Sequence, residues 1–219
     1  LAEITSFVKP SKLYRYRSIA NLQREVDAIA KGYLFCSSYK KLNDPMEGLY
    51  TSSQVLKESA NYQAVRNAIR DDKTQIGICS FSETYDHELM WAHYANQFSG
   101  ICIQYSLPRL LTHLPADVHF SRMFYDERGP TVFRSSKPPI ELAKMVLSYK
   151  NYRWLYEREW RMFADQGKVS YSKSNCVTHV YIGNRVKTAE RLVIQDALKK
   201  LKIPSSVMSI NRYSIHFKD

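Results

Sequence analysis

Apolar and polar residues alternate from Leu13 to Arg17 in the order Leu13-Tyr14-Arg15-Tyr16-Arg17. That period of two predicts a strand with one buried face. Directly after it the period lengthens. Ile19, Leu22, Val26 and Ile29 share one helical face, Ser18 stands at the position of a cap, and Gly32 stands where a left-handed residue would end the helix. Tyr33-Leu34-Phe35-Cys36 predicts a second strand, and Asn43-Asp44-Pro45 a turn. Residues 52–70 read as helical and mostly polar. Ile76 to Ser82 predicts a buried strand, Asp86 caps a helix running through Ala95, and further strands are expected over Gly100 to Tyr105 and Val118 to Tyr125. Pro138-Pro139 opens a helix extending to Tyr152, with proline suited to a first turn. Glu159 to Phe163 and Val177 to Ile182 read as strands. Thr188 caps a helix to Leu201 with Ile194, Ala197, Leu198 and Leu201 inward, and Val207 to Phe217 reads as one closing strand.

Strands and helices interleave without regular β-α-β spacing. The expected fold class is therefore α+β, with mixed, mainly antiparallel sheets and flanking helices forming a cleft, in a single domain over residues 1–219. No repeat, low-complexity segment or long linker interrupts the pattern.

Composition adds a core and a charge. At 44% hydrophobic and 24% charged residues the chain can bury a substantial interior, which excludes global disorder. No apolar run has the length of a membrane span, so no membrane partner is expected, and Leu1-Ala2-Glu3 begins nothing like a signal peptide. Cys36, Cys79, Cys102 and Cys176 show no paired spacing and read as reduced core thiols, which favours a cytoplasmic location. The net charge of +11 is uneven. Residues 1–41 carry eight Lys/Arg against three Asp/Glu, residues 185–219 eight against three, and the middle, 42–136, eight against eleven. Basic ends favour an anionic partner, such as a nucleic acid, an acidic protein or a dinucleotide; a merely soluble basic surface is the plain alternative.

Four segments place polar and aromatic residues where a plain strand or helix would not need them: Leu13-Tyr14-Arg15-Tyr16-Arg17, Leu42-Asn43-Asp44-Pro45-Met46-Glu47, Met90-Trp91-Ala92-His93-Tyr94-Ala95, and Trp154 through Arg161. With Val180-Tyr181-Ile182-Gly183 near the end, they resemble the bacterial domain-of-unknown-function family numbered twenty-nine seventy-one. That family's pattern reads L-Y-K-Y-R, N-D-P-F-E, M-W-x-H-Y-A, then W-x-x-E-x-E-W-R. Met46 stands where the family usually has Phe, at a position expected to be buried.

The opening layout also looks like the start of many ADP-ribosyltransferases. There a first-strand His or Arg and a later Ser grip NAD, and a Glu on a later strand acts at the ribose. That resemblance implies NAD as substrate, Arg15 or Arg17 with Ser38 as its grip, and Glu159, or else Glu157, as the catalytic acid. Cleaving the nicotinamide–ribose bond builds positive charge on the sugar, which a carboxylate stabilises. Arginine suits a pyrophosphate, Tyr94 can stack on nicotinamide, and His93 can carry a proton or contact a phosphate. The acceptor of the ADP-ribose would be a macromolecule, with nucleic acid favoured by the basic ends. No glycine-rich phosphate loop or dinucleotide fingerprint supports another nucleotide fold.

Structural readings stand beside these. Arg15 and Arg17 can pair with Glu47, Glu157 or Glu159 in a half-buried ion network. Trp91 and Tyr94 read as core, and His93 as a satisfied core histidine. His87 and His93 are six residues apart, the wrong spacing for two ligands on one helical face, so no metal is expected. Two other functions remain open: a non-catalytic module binding an anionic partner, and a metal-dependent nuclease built on Asp44, Glu47 and Glu159.

Overall fold

The computed structural model describes residues 9–172 and 175–218, so the Leu1-Ala2-Glu3 opening lies outside it. The fold is α+β with mainly antiparallel pairing. The chain forms two compact units. The first comprises Leu1–Gly32, Ser82–Leu114 and Tyr171–Asp219, and the second Tyr33–Phe81 and Pro115–Ser170. Among the described residues no helix is long and apolar enough to cross a membrane.

In the first unit the strands Lys12–Arg17, Ile101–Ser106, Val177–Ile182, Ser205–Asn211 and Ser214–Lys218 lie side by side in that order. All neighbours are antiparallel except Val177–Ile182 with Ser205–Asn211, a parallel pair joined through the helix Thr188–Lys200. That helix buries Ile194 and Leu198, while Leu201 is a third exposed. Gly183 is obligatory for a packing reason: a Cβ there would lie 2.1 Å from the Phe98 carbonyl oxygen.

In the second unit Tyr33–Ser38 pairs with Gly167–Ser170 on one side and Ile76–Ser82 on the other, and Glu159–Asp165 joins Ile76–Ser82 to His119–Arg122. The helices Tyr62–Gln75 and Pro139–Val146 pack together. Their inner residues Ile69, Leu142 and Val146 meet Ile76, Ile78 and Phe163 in one apolar cluster. Leu147 closes this cluster beside the site described below.

Several boundaries differ from the sequence reading. Asn21, not Ser18, caps the first helix, accepting from Arg24 N at 3.1 Å; Ser18 instead accepts from Ala20 N and shapes the turn before it. Gly32 does end that helix, at φ 66°. His87 rather than Asp86 precedes Glu88–Tyr94, and Lys187 rather than Thr188 caps the late helix. The polar helix at 52–70 is two, Gln54–Lys57 and Tyr62–Gln75. The helix expected to reach Tyr152 stops at Val146. There Ser148 Oγ bonds back to Lys144 O, and Tyr149–Asn151 turns into a strand. Val118 to Tyr125 is split at Met123, so that His119–Arg122 and Phe124–Asp126 take different partners. The closing strand is a hairpin turned at Arg212 with φ 56°.

Candidate functional site

The N-D-P-M-E segment folds as a turn because Asp44 Oδ1 accepts from Met46 N at 2.9 Å and Asp44 O from Glu47 N at 3.1 Å. Gly48 continues it at φ 73°, and the buried Lys73 ammonium donates to Gly48 O at 2.6 Å. The turn thereby points Glu47 inward, at 7% exposure. Met46 is half exposed, so the expected burial of that position does not hold.

From the other side, Asn151 Oδ1 accepts from Arg153 N and starts the 3-10 helix Tyr152–Glu157, which Arg158 ends at φ 44°. Glu157 therefore closes a helix rather than sharing a strand with Glu159. Glu159 and Arg161 are the strand neighbours, two apart and on one face.

Arg161 is fully buried and spends all five of its N–H donors. Nε donates to Glu159 Oε1 at 2.8 Å. Nη1 donates to Glu47 Oε2 at 2.8 Å and Leu147 O at 2.7 Å, and Nη2 to Glu47 Oε1 at 2.6 Å and Glu159 Oε2 at 3.2 Å. Lys150 Nζ donates to Glu157 Oε2 and to Glu159 Oε2 at 3.0 Å, lies 3.7 Å from Glu47, and sits 5.0 Å from the Trp154 ring centre. Burial alone would raise the Glu159 carboxyl. Arg161 and Lys150, with hydrogen bonds from Arg161 and Ser80, overcome that and bring it down to about 2. Burial likewise opposes the Lys150 charge, and Glu159 and Glu157 outweigh it, so its pKa stands above the ordinary lysine value. Three carboxylates and two cations thus meet in one network.

A cavity of about 210 Å³ opens at this network, with Asp44, Glu47 and Lys150 among its walls and the rings of Tyr50 and Tyr149 beside them. Drug-sized pockets start near ~300 Å³, so this one fits a single small ring or a charged headgroup. Asp44 is 5% exposed, and its Oδ2 accepts no hydrogen bond among the described residues.

The first unit uses its motif residues differently. Tyr181 packs against Tyr85 (4.4 Å, stacked), His179 (4.5 Å), Phe217 (4.8 Å) and Tyr14 (6.4 Å). Trp91, fully buried, meets Tyr16 edge-on at 5.3 Å and donates to Tyr85 O at 2.7 Å, and Tyr16 Oη donates to Thr84 O. Burial, then the nearby Tyr85, pushes the Tyr14 hydroxyl up to about 12. Of these tyrosines, Tyr16 and Tyr181 hold their hydroxyls in hydrogen bonds, to Thr84 O and to Gln104 Oε1.

The residues expected to form one site fall in both units. Arg15, Arg17, His93 and Tyr94 belong to the first; Ser38, Glu157 and Glu159 to the second. Within the second unit Glu157 and Glu159 meet at Lys150, and Ser38 lies at the end of its strand, paired with Gly77. Arg17 is bound bidentately to Glu25 at 2.8 Å for both contacts. Of the expected ion network, Arg17 pairs with Glu25, while Glu47 and Glu159 are held by Arg161, and Glu157 and Glu159 by Lys150. His93 is exposed, not a core histidine. Lys150 carried no sequence signal, because its stretch read as helix. Arg161 had one, its spacing of two from Glu159 on a strand. Glu47 and Glu159 commit their oxygens to Arg161, and no three His, Cys, Asp or Glu among the described residues are placed to hold a metal ion.

The family model described as "Protein of unknown function (DUF2971)" matches residues 90–162. The match supports the family seen in the motifs and takes in Trp91, Lys150, Glu157, Glu159 and Arg161. Comparison with curated proteins and with solved structures gives no match.

Proposed function

We propose that the chain is a ligand-binding module whose site is the cavity of the second unit, with the ion network as the frame that fixes Glu47 and Lys150 in its wall. One observation carries this reading: three ionisable side chains, each more than nine-tenths buried, line a single cavity. A buried mixed-charge cluster is a poor source of stability, since apolar residues of similar volume do as well or better. Such a cluster held rigid at a cavity is what preorganised recognition needs.

NAD-cleaving ADP-ribosyl transfer is the second reading, favoured by carboxylates and tyrosine rings on one cavity of nicotinamide size. The acids open to a ribosyl cation there are Asp44 and Glu47, not Glu159, whose charge is committed to Arg161 and Lys150. In that case the macromolecular acceptor, nucleic acid or acidic protein, would be drawn by the net charge of +11. The deciding experiment follows nicotinamide release from NAD with cell extract as acceptor, beside calorimetric titration of NAD. Release that disappears in Glu47→Gln favours the enzyme. Saturable binding of small molecules without release, weakened by Tyr149→Ala, favours the module. Binding that ignores every substitution in the cavity wall sinks both.

A further inference from the structure

Resting on the reading of this cavity as a binding site, the geometry points to the chemistry of its ligand: we propose that it takes the ammonium or guanidinium head of a small organic cation. The whole chain carries +11, yet the charged residues lining the cavity are Asp44, Glu47, Asp126 and Glu127 against Lys150 and Arg128, four acids to two bases. In the wall, Asp44 has no cation within ion-pair distance among the described residues, and its Oδ2 has acceptor capacity to spare. Asp126 and Glu127, both exposed, line the cavity beside the exposed Arg128.

The Lys150 ammonium does not cancel this excess. Its donors are directed at Glu157 and Glu159, and its charge is already counted among the lining residues. A ligand cation would bring the missing charge and donors for Asp44 Oδ2, beside Tyr50 and Tyr149 in the lining. An organic cation fits better than a bare metal ion, because the carboxylates do not converge as a ligand set. At about 210 Å³ the cavity holds a headgroup, with any remainder of the ligand outside.

The head can come from a free amine or from a Lys or Arg side chain, and the test separates the two. The full chain is titrated by calorimetry with butylguanidinium, with its neutral shape-mate butylurea, with butyrate, and with a blocked arginine peptide. Butylguanidinium binds saturably, and butylurea binds at least about tenfold more weakly. Asp44→Asn weakens the cation by a similar factor while leaving butylurea unchanged. If Asp44→Asn misfolds, the exposed double variant Asp126→Asn/Glu127→Gln serves, with a loss of about threefold that salt erases. Tighter binding of the peptide than of butylguanidinium identifies a protein side chain as the source; the reverse identifies a free amine. Butylurea or butyrate binding as well as the cation overturns the proposed charge while leaving the cavity a binding site. Absence of binding by every probe at millimolar concentration overturns both.

Discussion

Around Tyr181 the first unit packs five rings, Tyr181 itself with Tyr14, Tyr85, His179 and Phe217; around Arg161 the second packs five charges. Both clusters draw on motif residues, Tyr14 and Tyr181 in the first and Glu47, Glu157, Glu159 and Arg161 in the second, yet their energetics differ. Burial of the tyrosine and phenylalanine rings is favourable in proportion to the apolar area removed from water and involves no group that ionises in the acid range. Buried charges must first be dehydrated, so the second cluster gains little over an apolar filling and loses much if one member is removed. A cluster of the first kind needs no reason beyond stability. The second kind does, and it is the one that opens on a cavity.

The largest expected effects lie at the two centres. Arg161→Met strands Glu47 and Glu159 and should cost about 3–5 kcal/mol in denaturant unfolding at neutral pH. Trp91→Ala should cost a similar ~3–5 kcal/mol by leaving a cavity. Acid tells them apart: the Arg161→Met penalty shrinks as the stranded carboxylates take up protons, and the Trp91→Ala penalty does not. Equal behaviour of both variants in acid would erase the contrast.

Next comes the acid limb of the unsubstituted chain. The Glu159 carboxyl stands at about 2 in the folded state against 4.5 ordinarily. Its contribution is therefore fully present above pH 4.5 and is lost as pH falls through about 2. That loss is on the order of 3 kcal/mol. Unfolding free energies measured across that window should show it, and Glu159→Gln should remove it. Smaller still is the stacking in the first unit. Tyr85→Leu should lose about 0.5–1.5 kcal/mol beyond its area, independent of pH. Tyr181→Phe, which gives up one 3.3 Å bond to Gln104, should lose about 1 kcal/mol or less.

Legibility in the sequence followed the range of the interactions. Ile76–Ser82 was readable end to end because a mostly apolar run declares a buried strand without reference to anything distant, and Val177–Ile182 because it is rich in β-branched and aromatic residues. The hairpin at Arg212 was hidden because a non-glycine residue takes the left-handed position, and the short strand at Tyr149–Asn151 because its residues extend a helical pattern. In the site, Glu47, Glu157 and Glu159 were legible as buried acids in search of cations. Of the cations, Lys150 was not, because its stretch extends a helical pattern, and Arg161 carried only its spacing from Glu159, since its other carboxylate lies 114 positions away and no local pattern encodes that.

Replacing the network as a whole separates stability from recognition most directly. Glu47→Leu, Lys150→Met, Glu157→Leu, Glu159→Leu and Arg161→Met are combined, and the variant is compared with the unsubstituted chain in denaturant unfolding and in butylguanidinium titration. If the network frames a binding site, the variant is as stable, or more stable by about 1–4 kcal/mol, and no longer binds the cation. A variant that loses stability while still binding butylguanidinium at full strength would contradict that, and would make the network a structural device of the second unit.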